Sequence, residues 1–293
     1  LAVACGQAAE RPVPVFASPD SPRLRQTLAG LEEGLAPRRL AVAVVPAVGE
    51  SGPETLRRLR AAGPPLFVVL GTPALIMLAQ VEKRIPALFA MVANPYFSDA
   101  AWDPKRPEFH SRNVTGLASP PPVAQALRQG TGLLGRRAWG LLYDPLDGAA
   151  LEVARAFEAA AAELGLRSLM ETSSEAGQDL EALERLRSRG AQVFYLPPTA
   201  TASRYAPHLL AWGRQRRVLV VSGHPEVEPQ GAILSVTLDY HALGREAAAL
   251  ARRLLAGESP AGIPIRETQP LAIQADHALI RHWSGYPAPL QGK

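Results

Sequence analysis

The sequence predicts an α/β protein of two doubly wound, parallel-sheet domains, and three observations carry that expectation. Short apolar runs rich in Val, Leu and Ala alternate with segments whose apolar residues recur at helical spacing. The alternation breaks once, at Asn113-Val114-Thr115-Gly116-Leu117, and then restarts. The chain has 293 residues, which at roughly 100–200 residues per domain favours two compact domains over one. Strands that alternate with helices imply parallel sheets covered by helices on both faces.

Taken in order, Val13-Pro14-Val15-Phe16-Ala17 reads as the first strand. Ser18-Pro19-Asp20-Ser21-Pro22 then opens a helix bearing Leu24, Leu28, Leu31 and Leu35. Ser21 or Asp20 can cap it, and Pro22 suits its first turn. Residues 40–45 form the next strand, and 53–62 a helix carrying Leu56 and Leu59. Residues 65–70 are the third strand, ended by Gly71-Thr72-Pro73 and continued by an apolar helix over 74–81. Residues 87–92 are the fourth strand. In the second half, helices over 123–134, 151–164, 180–188 and 205–214 alternate with strands over 138–143, 167–171, 192–196 and 218–222.

Composition narrows the function classes. At 47% hydrophobic and 20% charged, with 24 Gly and 28 Pro, the chain is neither disordered throughout nor collagen-like. Thirty-one basic against 27 acidic residues leave +4, and Arg38-Arg39, Arg136-Arg137 and Arg216-Arg217 are scattered as solvated turns. A duplex-binding protein gathers its charge on one face, so no nucleic-acid partner is expected. No window holds the roughly 18–20 apolar residues that span a bilayer. The one cysteine, Cys5, makes no internal disulfide and no multi-thiolate metal site.

Leu1-Ala2-Val3-Ala4-Cys5-Gly6 reads as the tail of an export signal, Ala2-Val3-Ala4 having the small-x-small pattern of a cleavage site. A Cys after small residues also resembles a bacterial lipobox, although that motif usually places Leu where this chain has Ala2. Ordinary secretory cleavage is the alternative. Gly6-Gln7-Ala8-Ala9-Glu10 reads as a tether.

In open α/β sheets ligands gather at the carboxyl ends of strands. That rule selects Ser18, Asp20, Gly71, Thr72, Asn94 and Tyr96 in the first domain. In the second it selects Tyr143, Asp144, Pro198, Thr199, Ser222 and His224, with Gly223 between the last two. Helix N-termini there also favour an anionic group, while plain turn chemistry explains the same residue types. Catalytic motifs fail one by one. Gly130-Thr131-Gly132-Leu133-Leu134-Gly135 matches G-x-G-x-x-G, but a helix precedes it and a strand follows, the reverse of a dinucleotide site. It reads as a helix end and turn. Neither a phosphate loop nor a G-x-S-x-G elbow exists. The six histidines make no H-x-x-x-H or H-E-x-x-H pair. No metal and no cofactor are expected, and His224 as a general base lacks an identifiable partner.

The second half carries a longer pattern, in which the Gly-Ala stretch over 231–235 reads as a strand. Val227-Glu228-Pro229-Gln230-Gly231-Ala232-Ile233-Leu234-Ser235 runs into Asp239-Tyr240-His241-Ala242-Leu243-Gly244-Arg245-Glu246-Ala247-Ala248, then Leu254-Leu255-Ala256-Gly257-Glu258-Ser259-Pro260 and Ile263-Pro264-Ile265. With Gly71-Thr72-Pro73, Ile85-Pro86-Ala87-Leu88-Phe89, Asn113-Val114-Thr115-Gly116 and Ala161-Ala162-Glu163-Leu164-Gly165-Leu166, this order resembles a bacterial family of ABC-transporter substrate-binding proteins. Some of its members take up aromatic amino acids. Independently of the family, Leu243, Ala247, Leu250, Ala251 and Leu254 make one apolar helix face, Gly257 suits a helix stop, and Pro260 blocks continuation. Asp239, just before that helix, can cap it or face a ligand.

The resemblance implies a type I periplasmic-binding-protein fold, two lobes joined by hinge strands that close on a solute. It implies crossings near 115–118, 236–239 and 266–270, with the helix over 241–256 packed back on the N-terminal lobe. Residues 1–10 are then signal remnant and tether. Residues 11–117 with about 240–266 form the N-terminal lobe, and 118–239 with about 267–293 the C-terminal lobe. The implied partners are a small-molecule solute, such as an aromatic or other amino acid, and ABC permease and ATPase subunits. The implied location is periplasmic or cell-surface, with the membrane touched only through a lipid on Cys5. An α/β enzyme working through His224 and a carboxylate, or a ligand-sensing receptor lobe, are the alternatives.

Two departures bear on the ligand. Many members carry Asp-Pro after the fourth strand, where this chain has Asn94-Pro95. Many place an Asp after the strand over 192–196, where this chain has Pro197-Pro198-Thr199. An ammonium group wants a carboxylate, which leaves Asp20, Asp144 and Asp239. Tyr96, Phe97 and Trp102 either stack on a planar solute or anchor their loop.

Overall fold

The computed structural model describes residues 12–44, 51–175, 177–225 and 231–283. Cys5, the expected tether and Val45 lie outside the described residues. The chain divides into two compact units, Leu1–Pro120 with Asp239–Pro270 and Pro121–Leu238 with Leu271–Lys293.

In chain order, strands β1 (Val13–Ala17), β2 (Leu40–Val44), β3 (Phe67–Leu70), β4 (Ala87–Val92) and β5 (Val114–Ala118) alternate with helices α1 (Pro22–Leu35), α2 (Ser51–Ala61) and α3 (Thr72–Val81). Helices α4 (Val123–Leu134), α5 (Gly148–Glu163), α6 (Asp179–Ser188) and α7 (Ala200–Arg216) alternate with β6 (Trp139–Tyr143), β7 (Ser168–Thr172), β8 (Val193–Leu196) and β9 (Leu219–Ser222). β10 (Leu234–Leu238), α8 (Tyr240–Leu255), β11 (Arg266–Glu267), β12 (Leu271–Ala275) and α9 (His277–Trp283) follow. One sheet runs β2-β1-β3-β4-β5-β11, every neighbouring pair parallel. The other runs β7-β6-β8-β9-β10-β12, parallel except where β12 pairs antiparallel with β10.

Local chemistry sets the element ends. Ser21 caps α1, its Oγ accepting from the Leu24 amide at 3.2 Å, so of the two candidate caps Ser21 is the one used. Asp147 and Thr199 cap α5 and α7. Gly257, at φ 98°, ends the turn after α8. β1, β3 and β5 are buried along their whole length, as expected for strands covered on both faces. Phe16, Phe67 and Phe89 are fully buried in the first unit's core. In the second, Trp139, Phe157 and Tyr195 fill one face of the sheet and Phe194 meets Trp212 edge-on at 5.3 Å on the other. Each such side chain contributes on the order of 1.5–3 kcal/mol of burial.

The structure corrects four expectations. Gly130 and Gly132 lie inside α4, not in a turn, and only Gly135, at φ 75°, stops it; Gly130 is tolerated there because Trp139 packs where its Cβ would be. α7 starts five residues before the expected helix, because Thr199 caps it and small residues fill its first turn. The strand expected within 231–235 is displaced to β10, and the antiparallel β12 has no counterpart in the sequence reading.

α8 packs on α1 almost backbone to backbone. A Cβ on Gly30 would stand 2.0 Å from the His241 carbonyl oxygen, and one on Gly244 would stand 2.1 Å from that of Thr27. The apolar face expected on α8, Leu243, Ala247, Leu250, Ala251 and Leu254, is buried.

Candidate functional site

In each unit the candidate groups sit where parallel strands end and helices begin. In the first unit Ser18 follows β1, its amide donating to the Leu70 carbonyl at 2.8 Å. Its Oγ is buried without a hydrogen-bond partner among the described residues, and it presses on Gly71, where a Cβ would come within 2.2 Å. Gly71 has φ 96°, so close approach and backbone conformation both demand glycine there. Thr72 opens α3, whose N-terminus has no side-chain cap. After β5, Ser119 is buried and its Oγ also has no partner among the described residues.

The remaining first-unit candidates are occupied otherwise. Asp20 has a 63% exposed side chain and pairs with Arg25 at 2.5 Å. Asn94 spends its Oδ1 on the Tyr96 amide at 3.1 Å, capping the single 3-10 turn Pro95–Phe97. Tyr96 packs on the unit's core. Partial burial, with Glu267 and Asp103 nearby, pushes its phenol above its ordinary value. Trp102 meets Phe109 edge-on at 5.2 Å, and Arg106 lies 4.9 Å over the Phe109 ring. Tyr96 and Trp102 each have a packing partner within the unit, while Trp102 at 51% and Phe97 at 73% remain exposed. Asp239 is the N-cap of α8, its Oδ1 accepting from the Ala242 amide at 2.9 Å.

In the second unit the polar groups form one connected chain across the ends of β6, β8 and β9. Asp147 Oδ1 accepts from the amides of Ala149 and Ala150, and its Oδ2 accepts from Thr201 Oγ1 at 3.1 Å. Thr201 Oγ1 lies 3.2 Å from Thr199 Oγ1, which accepts the Ala202 amide. Ser203 Oγ donates to the Thr199 carbonyl and lies 2.8 Å from His224 Nε2. The His224 amide donates to Ser222 Oγ at 3.1 Å. Pro198, half-buried, leads into Thr199.

Tyr143 is half-buried at the end of β6, and Asp144 beside it is 7% exposed. Asp144 Oδ1 accepts the Leu146 amide at 2.9 Å. Tyr195, one residue before the end of β8, sets its hydroxyl against Gly223, where a Cβ would stand 2.1 Å from it. Burial pushes that phenol far above its ordinary value, so it stays neutral.

The fold brings Ser18 to Gly71, and Thr199 to Ser222 and His224. It leaves Asp20 in solvent. Ser119, Tyr195 and Ser203 escaped the sequence reading. Ser119 opens a Ser-Pro turn after an apolar run, the same signal that marks Ser18. Ser203 fell before the expected start of its helix, and Tyr195 carries no local signal. Among the described residues no group of three His, Cys, Asp or Glu side chains is placed to hold a metal, and no helix is long and apolar enough to cross a membrane. Hydroxyls, amides, one imidazole and carboxylates are groups that can hold a small polar molecule.

A family model described as ABC transporter substrate binding protein matches residues 49–274. No curated protein matches the chain in sequence. Solved structures match closely in fold. A conserved domain protein from Vibrio cholerae is 22% identical, with 96% of this chain and 97% of that one covered and a TM-score of 0.71. An ABC domain from Streptococcus pneumoniae in complex with L-Trp is 21% identical, with 94% and 96% covered and a TM-score of 0.70. A ligand-free, open substrate binding protein with adhesive properties from Clostridium difficile is 16% identical, with 96% and 97% covered and a TM-score of 0.80. At these identities the likeness is one of fold, the type I periplasmic-binding-protein-like arrangement of two parallel-dominated sheets.

Proposed function

The chain belongs to the ABC transporter substrate-binding protein family, and on that premise we propose that it binds one small molecule through the strand-end turns described above. It then passes that molecule to an ABC permease and ATPase without breaking a bond. The observation that carries the reading is the family match over residues 49–274, which spans nearly all of those turns. The residues gathered there support it, being hydrogen-bonding groups such as Ser119, Asp144 and Thr199 rather than a metal cluster or a phosphate loop. An aromatic or other amino acid is the first class to test, because the Streptococcus pneumoniae relative holds L-Trp.

Ligand binding to the folded state alone raises the melting temperature, by an amount that grows with ligand concentration. A panel of amino acids, amines, sugars and nucleosides is therefore expected to yield a saturable thermal shift, with the ligand recovered chemically unchanged. Recovery of a converted product would overturn the reading. The Ser203–His224 contact gives the enzymatic alternative its one handle: His224→Ala is expected to weaken binding at most, whereas loss of a turnover would favour catalysis. We also propose, from the Ala2-Val3-Ala4-Cys5 pattern alone, that the protein is exported and carries a lipid on Cys5. Metabolic labelling of cells with an alkyne fatty acid tests this, Cys5→Ser being expected to abolish the label.

A further inference from the structure

We infer that Asp144 supplies the counter-charge for a protonated amine of the solute, an inference that rests on the solute-binding reading above. The strand-end carboxylates differ in what they have left to give. Asp20 is exposed and paired with Arg25. Asp147 has both oxygens committed, to the first turn of α5 and to Thr201. Asp239 caps α8 and is only half-buried.

Asp144 is different. It is 7% exposed; one oxygen accepts a single backbone amide, while the other makes no hydrogen bond within the described residues and still meets solvent. A carboxylate can accept about four hydrogen bonds, and once a solute displaces the solvent from that oxygen the charge needs a partner. No Lys or Arg occurs in the turns at 143–147, 197–199 or 222–225, and the one imidazole there, His224, has its Nε2 2.8 Å from Ser203 Oγ. An ammonium group is compact and carries three donors, which suits one free oxygen beside an occupied one. An anionic solute group would be repelled there, and a neutral one would leave the charge uncompensated.

The test uses the full chain and a defined equimolar mixture, read by native mass spectrometry. The mixture holds L-tryptophan, L-tyrosine, tryptamine and putrescine, with D-ribose, D-glucose, uridine and indole-3-acetate as partners lacking an amine. Asp144→Asn removes the charge but keeps an oxygen for the Leu146 amide, so the melting temperature of the empty protein is expected not to fall. The expected result is that the wild type retains an amine from the mixture and that Asp144→Asn binds it roughly ten- to a hundredfold more weakly. Retention of a neutral or anionic compound by the wild type would overturn the role of Asp144 and leave the solute-binding reading standing. Equal retention of the amine by both proteins would do the same. If neither protein retained any component, the inference would fall and the solute-binding reading would be weakened with it.

Discussion

At the scale of single residues, Tyr195 and Gly223 show how an unpaired group limits its neighbour. The Tyr195 hydroxyl is buried without a hydrogen-bond partner among the described residues, a state that costs on the order of 1–3 kcal/mol in lost hydration. Tyr195→Phe is therefore expected to leave the protein as stable or up to about 1 kcal/mol more stable in urea unfolding. Gly223→Ala drives a Cβ to 2.1 Å from that hydroxyl and is expected to cost about 1–3 kcal/mol. In the double variant part of that loss returns, and the double-mutant cycle measures the coupling. Glu184 makes a pH-dependent contribution. The Trp212 indole donates to it at 2.9 Å, and Arg216 and Arg187 lie beside it, holding its carboxyl below the ordinary 4.5. A depressed folded value means stability that is complete above the unfolded value and lost as pH falls through the folded one. Glu184→Gln is thus expected to flatten the stability profile below pH 4.5. The side chain is 37% exposed, so solvent screening keeps the effect under about 1 kcal/mol.

At the scale of elements, most strands and helices were legible because their apolar periods, of two and about 3.6 residues, are local properties of the chain. Caps were legible for the same reason: Ser21 and Asp239 reach only three residues ahead. β12 was not, since it is an edge strand with Leu271 36% and Ile273 45% exposed, and its signal is correspondingly weak. The start of α7 was missed because Ala, Thr and Ser carry no apolar period. Helix-to-helix distance was likewise hidden. Gly30 and Gly244 look like ordinary helix-weakening residues until α1 and α8 are seen in contact. Gly30→Ala is expected to cost about 3 kcal/mol or more, because the obstructing atom is backbone and cannot turn aside. Gly262→Ala meets nothing within 4 Å and should lie within about 0.5 kcal/mol of the wild type in the same denaturation experiment.

At the scale of the whole molecule, each compact unit is built from separated stretches of chain, Asp239–Pro270 completing one and Leu271–Lys293 the other. A chain ending at Pro270 keeps the first unit's sheet and loses β12 from the second. Calorimetry is expected to show a transition for the second unit at lower temperature, with the first unit's transition retained; a uniform drop in both would refute that separation. The order of motifs along the chain carried the family, and the alternation of periods carried the parallel sheets and the turns at their strand ends. Those the sequence determined by itself, because each is written in neighbouring residues. Tertiary structure alone decided which group in those turns remains available: Asp20 is spent on Arg25, Asp239 on α8, and Ser203 on His224, while one oxygen of Asp144 has no partner among the described residues. Burial and pairing are conferred by residues distant in the chain, and a carboxylate's neighbours in space cannot be read from its neighbours in sequence.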